Sequence, residues 1–173
     1  TEVTDYLKLL MPRAAQLVCD GCRRPVRLDT PASAWSDLTT SIPERTPILV
    51  TFEVAFSAKV GMEEVLEGLR KQGYLRVWDA GEVRHLDEVG KGGRRRRGAQ
   101  SGRVEVVQDR LVLEPEARAR FVEAAEAAFR LGRGTMAVRI ADRVRGGSHE
   151  AAPHRFSSGW HCPHCDKAFP RPV

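Results

Sequence analysis

Long hydrophobic runs are absent from this chain, and none of its apolar stretches approaches the roughly 20 residues that a membrane-spanning helix needs. No stretch resembling a secretory signal peptide precedes the first predicted helix. Hydrophobic residues make up 42% and charged residues 29% of the 173 positions, a balance typical of soluble globular proteins. We therefore expect a cytoplasmic chain with no membrane partner, long enough for one ordinary domain with flanking segments.

The sequence motifs of several enzyme classes are missing as well. The chain contains no phosphate-binding loop of the Walker A type, no Gly-x-Ser-x-Gly elbow, no His-Glu-x-x-His and no dinucleotide fingerprint. The stretch Lys91-Gly92-Gly93 has the wrong order for a phosphate loop and no hydroxyl residue after its lysine. The five histidines are scattered. We assign no catalytic residue and expect that this chain alone is not an enzyme.

The charge excess is small and sits in one place. A formal charge of +5 results from 28 basic and 23 acidic residues, and the run Arg94, Arg95, Arg96 and Arg97 accounts for most of it. The rest is nearly balanced, which argues against a uniformly basic nucleic-acid-coating protein. The run is a candidate phosphate contact. The alternative is a solvated, self-repelling loop, because no aromatic residue alternates with the arginines to stack on bases.

Only four cysteines are present, and they form two Cys-x-x-Cys pairs, Cys19 with Cys22 and Cys162 with Cys165. Four thiols form two disulfides in many secreted proteins. The lack of a secretory signal and the Cys-Pro-x-Cys spelling of the second pair favour zinc, because such a turn lets two thiolates converge on one tetrahedral ion. Free or redox-active thiols are the alternative.

Before residue 47 the pattern predicts little regular structure. Residues 1–11 are predicted to form a short helix that ends at Pro12. Its buried stripe would comprise Tyr6, Leu7, Leu10 and Met11. The Pro-, Ser- and Thr-rich residues 30–47 are interpreted as a connector with a single helical turn near Trp35 and Leu38.

From residue 47 onward, strand and helix patterns alternate. Strands are predicted at 48–56, 75–78, 82–86, 103–113, 135–141 and 154–160, and helices at 61–72 and 115–131, with a glycine-rich loop at 90–102. This order indicates an α+β fold, a small and mostly antiparallel sheet with both helices on one face. We divide the chain into an N-terminal segment (1–46), a central α+β domain (47–145) and a C-terminal return strand with the second cysteine pair (146–173).

Several segments, in the same order, resemble the UvrA family of the excinuclease ABC system over nearly the whole chain. Residues 1–10 are similar to its TEI-x-DYLRLL segment, and 105–111 to its EVVVDRL segment. The other similar segments are 71–77 with Asp79, Gly81 and Glu82, then 124–134, and Phe156-Ser157 with the second cysteine pair.

The resemblance implies the domain of a DNA-repair ATPase that binds UvrB, the next protein of the same repair system. ATP would be bound only by the parent protein, outside this chain, and DNA would be contacted through that parent. The parent would be a homodimer and this piece a monomer. Charged positions in the matching motifs imply docking contacts at Arg76, Glu82, Arg84, Asp109 and Arg110.

The resemblance also bears on the cysteines and on the arginine run. In the family the Cys-Pro-x-Cys pair is expected to share zinc with a later pair, so Cys162 and Cys165 are either half of a site or partners of Cys19 and Cys22. The family usually has Lys-Lys-His where this chain has the arginine run. The alternative function is therefore a zinc-dependent nucleic-acid-binding module that uses Arg94–Arg97 and the cysteine turns.

Overall fold

The computed structural model describes residues 2–89, 101–141 and 152–171. These residues contain four α-helices, a six-stranded antiparallel sheet and a separate two-stranded hairpin, so the α+β prediction is confirmed. The helices are α1 (Glu2–Ala14), α2 (Pro31–Ser41), α3 (Met62–Lys71) and α4 (Arg118–Leu131). The strands are β1 (Pro47–Phe56), β2 (Arg76–Asp79), β3 (Glu82–His85), β4 (Gly102–Val112), β5 (Thr135–Ile140), β6 (His154–Ser157), β7 (His161–Cys162) and β8 (Lys167–Ala168).

The six-stranded sheet is built around β1, which pairs with β4 on one side and β5 on the other. The full strand order is β3-β2-β4-β1-β5-β6. The β2–β3 hairpin turns at Ala80 and Gly81, whose φ angles of 51° and 88° are those of a two-residue hairpin turn. The predicted hairpin is thus confirmed, and it forms one edge of the sheet.

The hydrophobic core lies between the sheet and its helices. Alternate residues of β1, namely Ile48, Val50 and Phe52, are buried in it, together with Leu66 of α3 and Phe121 of α4. This agrees with the period-2 and period-3.6 patterns of the sequence. Gly73 follows α3 with a φ of 88°, the left-handed conformation that commonly ends a helix.

The segment interpreted as a connector contains a full helix, because α2 has three turns where a single turn was predicted. Thr30 caps it reciprocally, since its hydroxyl accepts a hydrogen bond from the Ser33 amide and the Ser33 hydroxyl accepts one from the Thr30 amide. Trp35 packs on Phe121 of α4 with ring centroids 5.2 Å apart. Trp35 and Leu38 are buried, so α2 adds to the core of the sheet domain.

Two predictions for α1 are wrong. The helix continues past position 12 to Ala14, because a proline removes one backbone hydrogen bond without always ending a helix. The residues of its predicted buried stripe are exposed: Tyr6 by 67%, Leu7 by 47%, Leu10 by 57% and Met11 by 55%. Among the described residues, no element packs on this apolar face. Within the same ranges, no helix has the length and apolar character needed to cross a membrane.

An extra residue in β4 determines which face its charged side chains occupy. The register passes from Val50↔Asp109 to Thr51↔Val107, which leaves Gln108 as the additional residue of a β-bulge. Because Val50 faces the helices, Asp109 also lies on the helix side. Arg110 pairs with Leu49 and lies on the opposite face.

Candidate metal centre and docking surface

The fold brings both cysteine pairs into one cluster. The four Sγ atoms of Cys19, Cys22, Cys162 and Cys165 all lie within 4.8 Å of one another. The sulfurs of Cys22 and Cys162 are 3.5 Å apart although 140 positions separate the residues. All four cysteines are free. Tetrahedral zinc with Zn–S bonds of about 2.3 Å requires sulfurs about 3.8 Å apart, so the cluster fits a four-thiolate metal site.

Two tight turns present these sulfurs. In the first turn the Cys19 amide donates to the Arg24 carbonyl at 2.8 Å, and the Arg23 amide donates to the Cys19 carbonyl at 2.9 Å. Gly21 lets the two turns approach closely, because a Cβ at this position would lie 3.2 Å from the Cys165 sulfur and would push it away by a few tenths of an ångström. The second turn joins β7 to β8, with Cys162 paired to Lys167 across the hairpin.

The thiols of the cluster differ in acidity. Backbone hydrogen bonds, chiefly from the Cys22 amide, lower the pKa of Cys19 to about 7. Hydrogen bonding to Cys22, with a smaller contribution from desolvation, raises the pKa of Cys165 to about 12. Burial raises the pKa of Cys162. Of these three thiols, Cys19 therefore loses its proton most readily, and a metal would have to displace the protons of Cys162 and Cys165.

Charged side chains link the two turns to each other and to the sheet. Lys167 donates to Asp20 at 2.5 Å, which joins the second turn to the first. Arg103 of β4 donates to Glu53 of β1 at 2.9 Å and also to Asp166 of the second turn. The cysteine cluster is therefore fastened to the sheet domain by ion pairs as well as by the chain itself.

The segment after the first turn is fastened to the edge strand β6. Asp29 is 6% exposed, and its carboxylate accepts a hydrogen bond from the Ser157 amide at 2.9 Å. The Asp29 amide in turn donates to the Ser157 carbonyl at 2.7 Å. Arg27 lies 2.9 Å from the Asp29 carboxylate and also pairs with Asp37 of α2.

The five predicted docking residues do not form one patch. Arg76 and Arg110 are exposed on the face of the sheet that carries no described helix, and neither forms a hydrogen bond or ion pair through its side chain with another described residue. Asp109 lies on the helix side and accepts two hydrogen bonds of 2.7 Å from Arg120 of α4. Arg84 donates to Glu82 within the β2–β3 hairpin at 2.7 Å.

Comparison with known proteins identifies the family of this fold. A family model described as the UvrA interaction domain matches residues 35–142. The chain belongs to the UvrA interaction domain family. The matched residues comprise the sheet from β1 to β5 together with α3, α4 and most of α2.

Relatives of this UvrA interaction domain extend the similarity to both cysteine turns. UvrABC system protein A of Xanthomonas campestris pv. campestris is 34% identical over 170 residues, 98% of this chain and 16% of the relative. The proteins of the same name from Mycobacterium tuberculosis and Deinococcus radiodurans are 32% and 30% identical over 94% of this chain. The chain spans about one sixth of the length of these curated relatives, each being covered by 16%.

Sequence reasoning about the UvrA interaction domain missed the charged residues around the cysteines. Arg24, Asp29 and Asp166 flank the two turns, and their closeness to the cysteines was the available signal. The Nη1 atom of Arg24 is 3.0 Å from both ring nitrogens of His164. Burial lowers the pKa of His164, and the positive charges of Arg24 and Arg155 lower it further. The predicted nucleic-acid contacts Arg94–Arg97 lie outside the described residues.

Proposed function

We propose that this chain is the UvrB-docking domain of a UvrA-type nucleotide excision repair protein, with ATP binding and turnover located elsewhere in that protein. The observation that carries the proposal is the match of residues 35–142 to the UvrA interaction domain. The relatives, named UvrABC system protein A, are about six times as long as the chain, since it covers 16% of them, which leaves room for an ATPase in the parent. DNA would be contacted through that parent.

Arg76 and Arg110 are the strongest candidates for contact with UvrB. Both guanidinium groups are exposed and lack a partner among the described residues, so binding would break no internal ion pair. Arg76 lies on β2 and Arg110 on the neighbouring strand β4. Exposed charges of this kind guide the encounter of two proteins and favour fast, reversible association.

Asp109, Glu82 and Arg84 are weaker candidates because each has an internal ion pair. Arg120 is 63% exposed, but the Asp109 side chain that accepts its two hydrogen bonds is only 22% exposed. UvrB would have to break both of these hydrogen bonds to replace Arg120 as the partner of Asp109. Removing Arg120 should then strengthen any contact that Asp109 makes.

Charge reversal tests the docking surface. The Arg76→Glu and Arg110→Glu variants should each weaken binding to purified UvrB by about tenfold, mainly through slower association. Isothermal titration and stopped-flow fluorescence measure the two effects. Arg118→Glu is the matched control, since Arg118 is an exposed arginine at the start of α4 on the helix side. Unchanged affinity in both test variants would remove this face from the interface, and no binding by the unmodified chain would refute the proposal itself.

We also propose that the four cysteines hold one Zn²⁺ between the two turns. The support is the Sγ spacing and the depressed pKa of Cys19, both suited to a thiolate ligand set. The role would be structural, because four protein ligands leave no open coordination position for catalysis. Metal analysis should find one zinc per chain, and the Cys162→Ser variant should lose it; equal zinc content in both would contradict a four-cysteine site.

A further inference from the structure

The two edges of the six-stranded sheet differ in how their backbone groups are paired. The strand order places β6 at one edge and β3 at the other. At the β6 edge, Asp29 satisfies the backbone of Ser157, since it donates to the Ser157 carbonyl at 2.7 Å and accepts from the Ser157 amide at 2.9 Å. Within the described ranges, no strand pairs with the outer side of β3. The β3 edge is therefore open.

The register of the β2–β3 hairpin determines which backbone groups point outward from this edge. The two residues that flank a two-residue turn form a hydrogen-bonded pair, and such pairs alternate with non-hydrogen-bonded ones along the ladder. Val83 and His85 therefore belong to non-hydrogen-bonded pairs, and their backbone groups point away from β2. The position after His85 agrees, since the Leu86 amide donates to the Leu75 carbonyl at 2.8 Å.

Three backbone groups are consequently available at the β3 edge, namely the N–H and the carbonyl of Val83 and the N–H of His85. The His85 carbonyl is not available, because His85 caps the 3₁₀ turn Leu86–Glu88 and its carbonyl accepts the first hydrogen bond of that turn. None of the three groups has a hydrogen-bond partner among the described residues. The Val83 side chain is 39% exposed, so a partner can reach the edge.

We propose that β3 accepts an added strand, an extended segment of UvrB that carries a carboxylate on the helix-free side of the sheet. This inference rests on the docking function proposed above and adds the mode of binding. In strand addition, the main-chain groups of a sheet edge provide affinity and alternate side chains provide specificity. Arg76, a leading docking candidate, pairs with His85 of β3 and lies on the same face. The open edge is therefore continuous with the docking surface.

Charge near the edge indicates the chemistry of the added strand. Neighbouring strands lie about 4.8 Å apart, so the added strand would run about 10 Å from β2. The long, exposed side chain of Arg76 spans most of that distance, and an Asp or Glu beside His85 on the added strand would meet it. On the helix side, Arg84 already donates to Glu82 at 2.7 Å, so that side requires no charged partner.

A second copy of this chain fits the edge less well than a segment of another protein. Antiparallel self-pairing centred on Val83 would place His85 opposite Gly81, whose φ of 88° belongs to a turn and not to a strand. Self-pairing centred on Arg84 would place two arginines directly opposite each other, which is unfavourable.

Amide hydrogen exchange of the 173-residue chain, alone and saturated with purified UvrB, tests strand addition. The Val83 and His85 amides should exchange rapidly in the free chain and roughly tenfold more slowly in the complex. The Arg84 amide points toward β2 and should be protected in both states. Val83 and His85 amides that stay unprotected in the saturated complex would overturn the proposal.

Val83→Pro tests the edge by substitution, because it removes an outward N–H but no hydrogen bond of the ladder, and edge strands tolerate proline at such positions. It should weaken UvrB binding about tenfold. Val83→Thr is the matched control, since it keeps the N–H and a β-branched side chain, and it should bind within about twofold of the unmodified chain.

The outcomes separate strand addition from the docking function itself. Equal UvrB affinity of the Val83→Pro and Val83→Thr variants, with binding still weakened by Arg76→Glu, would overturn strand addition and leave docking in place. No binding by the unmodified chain would refute the docking function, and strand addition by UvrB with it. A dimer of the chain in sedimentation equilibrium that Val83→Pro abolishes would overturn the proposal by assigning the edge to a second copy.

Discussion

Withdrawal of the proposed zinc ion should unfold the cysteine turns and leave the sheet domain folded. The described part of the chain contains two separate hydrophobic clusters. The large one includes β1, β4, β5 and the helices α2–α4. The small one consists of buried Cys19, Val26 and Cys162, with Leu17, Cys22 and Phe169 packed partly against it.

The size of the small cluster sets how much free energy apolar burial can contribute to the folding of the cysteine turns. The apolar side chains of the small cluster are Leu17, Val26 and Phe169. Full burial of each would stabilise the turns by about 1.5–3 kcal/mol, and Leu17 and Phe169 are only partly buried. A structural zinc site contributes about 10–16 kcal/mol. Metal binding is thus the larger contribution, and the turns should not remain ordered without it.

Hydrogen exchange measured by mass spectrometry tests this prediction at individual backbone amides. After a chelator removes the metal, protection should be lost at the Cys19 and Phe169 amides, which donate to Arg24 and Trp160. Amides of Val50 and Phe52 in β1 should keep their protection. Adding zinc should restore the lost protection in the unmodified chain but not in the Cys162→Ser variant. Protection at Cys19 that survives proven metal loss, or loss of protection in β1 at the same time, would refute the reasoning.

Two further predictions concern stability. Gly132→Ala should destabilise the fold by about 2 kcal/mol or more in urea melts, because its Cβ would lie 2.1 Å from the Thr135 carbonyl oxygen. Gly68→Ala within α3 should instead stabilise the fold by about 0.5–1 kcal/mol, because nothing lies within 4 Å of its new Cβ. Similar effects of the two variants on stability would contradict this prediction. Burial lowers the pKa of His154 below 6.5, so the unfolded chain binds more protons and stability should fall as the pH drops through 6.5. His154→Gln should reduce this fall in thermal melts, and an identical pH profile would argue against it.

The sheet could be predicted from the sequence because each strand has a clear local pattern. The alternation of β1 and the Asp79-Ala80-Gly81 turn are properties of neighbouring residues. The helix α2 was underestimated although Thr30, Pro31 and Ser33 form a recognisable helix start, since Ser and Thr are also common in connectors. The exposure of Tyr6 and Leu10 could not be predicted, because an amphipathic pattern does not say what covers it.

The candidate site depends on contacts between distant residues, and these were harder to predict. Cys22 and Cys162 are 140 positions apart in the sequence, and this separation does not indicate that their sulfurs lie in contact. Only the fold shows that the two cysteine pairs form one cluster, whereas the sequence also allowed Cys162 and Cys165 to be half of another site. The bulge at Gln108 places Asp109 on the helix side, whereas strict alternation from Glu105 would place it with Arg76. A single extra residue therefore separates two side chains that the sequence alone would assign to one surface.

Convergence of the two cysteine turns means that the polypeptide enters and leaves the sheet domain at a single point. The 3.5 Å between the sulfurs of Cys22 and Cys162 is about the length of one residue of extended chain. A host protein could therefore gain, lose or exchange everything between these turns without moving its own flanking segments. It could also rotate the whole domain as a rigid body about that junction without disturbing the sheet.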